Sequence, residues 1–94
     1  MRFNSLIIKP TNQFKRDFKK ISKQGKNLKL LQDIINDLAN FKSLDKKYCD
    51  HALKGEFKNY RECHISPDWL LMYKHEGSNL VLVRTGSHSD LFHT

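Results

Sequence analysis

A chain of 94 residues, in which 17 Lys and Arg outnumber 10 Asp and Glu for a formal charge of +7, buries one modest core, so a single domain over 1–94 is expected. No apolar run nears the roughly 20 residues of a membrane span, and Met1–Lys9 lacks an apolar stretch of signal-peptide length, which predicts a cytoplasmic protein without a membrane partner. The positive field favours phosphate-rich or acidic partners and specifies no chemistry.

Phe3–Lys9 is apolar and β-branched, which predicts an opening strand that Pro10 ends. Thr11 is placed to N-cap a helix in which Phe14, Phe18 and Ile21 recur at helical spacing up to about Lys23, with Lys15, Arg16, Lys19, Lys20 and Lys23 over the remaining surface. Gly25 offers a left-handed stop. Leu28, Leu31, Ile34, Ile35, Leu38 and Phe41 then form the stripe of a second helix, and the two helices read as a hairpin. Between Lys42 and Glu56 the pattern is polar and irregular, which predicts a surface loop or a loose extra turn. Three β-like runs follow, Phe57–Ile65, Trp69–His75 and Leu80–Thr85, separated by two short turn sequences, Ser66-Pro67-Asp68 and Glu76-Gly77-Ser78-Asn79. The expected fold class is α+β: an N-terminal strand, a helical hairpin and a three-stranded antiparallel meander in one mainly antiparallel sheet, with no repeats.

In the second run Tyr60, Glu62 and His64 share one side and Arg61, Cys63 and Ile65 the other, because successive side chains alternate, so one face of this strand is polar. RNA carries its own nucleophile in the 2′-hydroxyl, so cleavage requires a proton acceptor, a proton donor and a positive charge, and in principle no metal or cofactor. Histidine, with an ordinary pKa of about 6.5, suits both proton roles, which makes His51, His64 and His88 candidates. Asp68 and Trp69 follow His64 across a short turn, within reach of convergence. Arg84 closes the last run four residues before His88, and Gly86 between them lets the backbone turn closely. Trp69, Tyr60, Tyr73 and Phe92 are candidate stacking platforms for unpaired bases, about 1–3 kcal/mol per contact.

Each of these residues also has a plain structural reading. Arg84 pairs with Asp90 or Glu62 at the surface, Trp69 anchors the core, Asp68 stabilises its turn, and the lysines of the first helix form a solvated face. His75 and His93 look peripheral. Cys49 and Cys63 lie in no metal-ligand spacing and read as reduced thiols.

The blocks Asp50-His51-Ala52-Leu53-Lys54-Gly55 and Tyr60-Arg61-Glu62-Cys63-His64-Ile65-Ser66-Pro67-Asp68-Trp69-Leu70-Leu71-Met72-Tyr73-Lys74, with the closing Arg84-Thr85-Gly86-Ser87-His88-Ser89-Asp90-Leu91-Phe92, resemble the signature of YafQ-type toxins in the RelE/ParE toxin–antitoxin superfamily. They cover roughly the C-terminal half. The resemblance implies a RelE-like β-α-α-β-β-β fold, metal-independent cleavage of mRNA in the ribosomal A site leaving a cyclic phosphate and a 5′-hydroxyl, and inhibition by an acidic cognate antitoxin. By position it implies His88 as general acid, His64 with Glu62 or Asp68 on the base side, and Arg84 as the phosphate cation. His51 joins the catalytic set, and Trp69, Phe92, Tyr60 and Lys54 bind substrate. Ala52 replaces a proline usual after the loop histidine, and Glu62 stands where the shorter Asp is common. Two other functions fit the composition: a ParE-like gyrase poison, which would not need this histidine set, and a basic RNA-binding module without chemistry.

Overall fold

The computed structural model describes residues 5–92; Phe3 and Asn4, expected in the first strand, and His93, expected to be peripheral, lie outside them. Strand β1 spans Ile7–Pro10. Thr11 Oγ1 accepts from Phe14 N and donates to the Val83 carbonyl, so one hydroxyl both caps α1 (Asn12–Lys23) and ties its start to the sheet. Gly25, at φ 75°, ends that helix, and Asn27 caps α2 (Leu28–Ala39) by accepting from Leu30 N. The second helix is shorter than its stripe predicts. Asn40 ends it with its amide on the Asn36 carbonyl, which leaves Phe41 left-handed and 63% exposed, off the core.

The segment from Lys42 has the expected turns and, in addition, a short strand. It holds 3₁₀ turns at Lys46–Tyr48 and Gly55–Phe57 and, between them, a two-residue strand β2 (His51–Ala52). Strand β3 is therefore Arg61–Ser66, without Phe57; β4 is Trp69–Glu76, β5 is Asn79–Gly86, and a short helix α3 (His88–Phe92) follows. One five-stranded sheet results, in the order β1-β5-β4-β3-β2, with β1 parallel to β5 and the other neighbours antiparallel. The expected α+β architecture is present.

Alternation sorts the sheet into two faces. Cys63, Ile65, Leu71 and Tyr73 pack with Phe14, Ile21, Leu31, Ile34 and Leu38 of the helices, each large buried side chain contributing about 1.5–3 kcal/mol. The opposite face carries a smaller cluster, Leu70, Met72 and Leu91 with Leu53, Tyr60, Val83 and Phe92 around it, and α3 covers one end. Glu62 and His64 alternate with Cys63 and Ile65, so they belong to this second, open face. No helix among the described residues is long and apolar enough to cross a membrane.

Candidate active site

Register aligns residues far apart in the chain. His51 pairs with Glu62, Glu62 with Met72, and Met72 with Arg84, one row across four strands. The next row runs His64, Leu70, Gly86. At about 4.8 Å per strand the backbones of His64 and Gly86 are roughly 10 Å apart, and His88 follows two residues later.

Glu62 lies at the centre of one cluster. It is 5% exposed, and its Oε1 stands 3.5 Å from His51 Nε2 and 3.8 Å from His64 Nε2, with the two imidazole centroids 6.3 Å apart. Its second oxygen is buried and has no hydrogen-bond partner among the described residues, a condition uncommon enough in folded proteins to call for an explanation. His51 Nδ1 lies 2.6 Å from the Cys49 carbonyl, which can only accept, so Nδ1 carries a hydrogen. In the neutral ring Nε2 is then the basic nitrogen, and it faces Glu62. The arrangement couples two proton carriers through one carboxylate.

His51 opens the two-residue strand β2, and a partly buried polar cluster holds the chain just before it in place. Asp50 Oδ1 accepts from the Tyr73 hydroxyl and from Arg61 Nε, and Arg61 Nε also lies 3.3 Å from the Tyr73 oxygen. Burial, followed by the bond to Asp50, pushes the Tyr73 phenol well above its ordinary value, and the hydrogen bond to Tyr73 raises Arg61. The phenol therefore stays a donor and the guanidinium stays charged. Cys49, left-handed at φ 49°, makes the bend that brings Asp50 inward and His51 out.

Arg84 takes neither of the surface partners its neighbours suggested. Its Nε donates to Asp17 Oδ2 at 2.7 Å and its Nη2 to Asp17 Oδ1 at 3.2 Å. Asp17 lies on the core-facing side of α1, one turn from Phe14 and Ile21. Sequence reasoning passed over it because a charge in a basic helix reads as solvated. Asp90 pairs instead with Lys20 at 2.9 Å. Ser87 and Asp90 form a reciprocal cap on α3: Ser87 N donates to Asp90 Oδ2, and Asp90 N to Ser87 Oγ. The backbone N–H of His88 donates to Asp68 Oδ1 at 3.4 Å, which links α3 to the β3–β4 turn. The His88 ring is 4.9 Å from that of Phe92, and Phe92 packs edge-on against Phe57 at 5.9 Å.

Two expected stacking platforms are not surfaces. Trp69, 2% exposed, donates from Nε1 to Thr85 Oγ1, and Tyr73 is 1% exposed with its hydroxyl on Asp50. Both rings are consumed by the core, so neither presents a face to a base. Tyr60 and Phe92 remain on the open face, Lys74 Nζ lies 5.1 Å over the Tyr60 ring, and Lys54 is exposed ahead of the second 3₁₀ turn. His75 lies apart, against Phe41 and Tyr73. Among the described residues no group of three or more His, Cys, Asp or Glu is placed to hold a metal ion.

The model of the YafQ toxin family, described as the bacterial toxin of a type II toxin–antitoxin system, matches residues 6–93. The mRNA interferase toxin YafQ of Escherichia coli strain K12 is 37% identical over 86 residues, 90% of this chain and 94% of the relative. Among solved structures, the E. coli DinJ–YafQ toxin–antitoxin complex contains a chain with TM-score 0.85 and 36% identity, covering 94% of this chain and 98% of that one. A metal-bound toxin from Helicobacter pylori reaches TM-score 0.88 and 46% identity over 93% of this chain and 99% of its own.

Proposed function

This chain belongs to the YafQ family of type II toxin–antitoxin toxins, and from that premise we propose that it is an endoribonuclease that cleaves mRNA and is held in check by a cognate antitoxin. The observation that carries the chemistry is the buried Glu62 carboxylate between His51 and His64 on the open face, in the same cross-strand row as Arg84. The 3.8 Å approach of Glu62 Oε1 to His64 Nε2 favours Glu62 over Asp68 on the base side, while Asp68 accepts from the backbone N–H of His88 at the start of α3.

In this reading the His64–Glu62 side, with His51, takes the proton from the 2′-hydroxyl. The 2′-oxygen attacks phosphorus, the P–O5′ bond breaks, and His88 protonates the departing 5′-oxygen. A 2′,3′-cyclic phosphate and a 5′-hydroxyl remain. Arg84 offers a fixed cation to the phosphorane, Phe92 and Tyr60 support the neighbouring bases, and Lys54 attracts the backbone. The substrate is mRNA in the ribosomal A site, the place of action the cytoplasm, and the antitoxin meets the basic surface with an acidic segment.

Incubation of the purified protein with labelled RNA, with and without ribosomes and with and without EDTA, followed by mapping of both product ends, tests reaction class, ribosome dependence and metal use together. Cyclic-phosphate ends formed in EDTA are expected, and His88→Ala slows cleavage about 10²–10⁴-fold with RNA binding retained. Loss of wild-type activity in EDTA refutes the metal-free scheme, and 3′-hydroxyl ends refute 2′-oxygen attack.

A further inference from the structure

Asp17 is 7% exposed, and a carboxylate at such a position is costly unless fully bonded. Four donors meet it. Oδ2 accepts from Arg84 Nε at 2.7 Å and Thr85 N at 3.1 Å, and Oδ1 from Arg84 Nη2 at 3.2 Å and Gln13 Nε2 at 2.9 Å. Because the backbone of Thr85 is one of these donors, the carboxylate is fixed to the strand next to the residue whose side chain it grips. One turn further along the same helix, Lys20 reaches Asp90, so α1 braces both Arg84 and the segment that bears His88.

We propose that Asp17 is the positioning residue that presents the Arg84 guanidinium to the scissile phosphate, an inference that rests on the role given to Arg84 above. The side-on pairing engages Nε and one N–H of Nη2, two of a guanidinium's five donors. Three remain, and two of them, one on each terminal nitrogen, form the end-on fork that fits two oxygens of a phosphate. The Arg84 side chain is 24% exposed, so it is held by Asp17 and still meets solvent. A neighbouring carboxylate weakens the attraction of the cation for phosphate. Its presence therefore serves geometry at the expense of raw affinity, and that sets the sign of the test.

Asp17→Asn keeps the shape of the side chain and removes its charge. The expected result is a fall in kcat of about 10–100-fold, with RNA binding unchanged or tighter because a negative charge has gone. In an Arg84→Ala background the same substitution costs nothing further, since a group that acts through Arg84 has lost its target. A merely structural ion pair gives another pattern: a lowered urea midpoint, with folded protein cleaving at the wild-type rate, and that overturns the proposal. Full additivity in the double variant overturns it too. Arg84→Ala at wild-type rate removes the underlying role of Arg84, whereas slow Arg84→Ala beside fast Asp17→Asn removes Asp17 alone. Should Asp17→Asn fail to fold, Gln13→Ala, which removes one of the two donors to Oδ1 and leaves Arg84 Nη2 as the other, reads the same quantity: a fall of a few-fold in kcat at constant RNA affinity supports the proposal, and no change overturns it.

Discussion

The buried Glu62 carboxylate stands between two imidazoles, with its Oε1 3.5 Å from His51 Nε2 and 3.8 Å from His64 Nε2. Its placement beside His64 was readable, since residues two apart on a strand share a face. The approach of His51 was not, because it depends on a left-handed Cys49 and on the bonds of Asp50 to Tyr73 and Arg61, contacts that span up to 23 positions. Asp17 was hidden in a different way: the spacing of Phe14 and Ile21 put it on the inner face, and its charge argued for the outer one. The two thiols separate by environment. Burial pushes Cys63 up to about 12, while Cys49 is exposed, so a thiol-specific reagent at pH 8 should modify one cysteine in native protein and both in denaturant. Mass spectrometry of the labelled peptides checks this; rapid native labelling of Cys63 would show that the face between sheet and helices is open.

At the scale of elements, α3 was the piece that the sequence carried in clear notation and periodicity overlooked. Five residues are too few for a stripe, but Ser87 and Asp90 are three apart, the spacing of a capping box. Gly86 makes the preceding turn at φ 153°, and a Cβ there would lie 3.2 Å from Asp90 Cβ, Asp90 Oδ2 and Leu91 Cδ1. Gly86→Ala should therefore cost about 1–3 kcal/mol of stability and cut cleavage by more than that loss explains, because His88 moves with α3. Urea unfolding and single-turnover rates measured side by side check it, and an unaltered rate would detach α3 from the chemistry. The Lys20 ammonium, then the Ser87 backbone and hydroxyl, hold Asp90 down to about 2. A carboxyl lowered on folding stabilises the native state above its unfolded value near 3.8, and that contribution disappears as pH falls toward 2. Asp90→Asn should accordingly lower the urea midpoint at pH 5, with the difference closing by pH 2; a constant difference across that range would assign the effect to the cap alone.

For the whole molecule, a charge of +7 on 94 residues acts over a Debye length that shrinks from about 14 Å at 0.05 M salt to about 4 Å at 0.5 M. If an acidic antitoxin segment covers this surface, its affinity should fall steeply over that interval, which calorimetric titration measures; an affinity indifferent to salt would point to apolar docking instead. Local chemistry in the chain determined most of the scaffold by itself. Apolar stripes specify two helices, Thr11 and Gly25 delimit the first of them, alternation specifies the polar face of β3, and short turns specify the hairpins, all effects of residues within a few positions of one another. The relations that build the site belong to tertiary structure: the row His51–Glu62–Met72–Arg84 exists only once strand register is set, and the grip of Asp17 on Arg84 spans 67 positions. Neither has a local signature, because register follows from packing both faces of the sheet at once, and a buried ion pair is defined by which two surfaces that packing brings together.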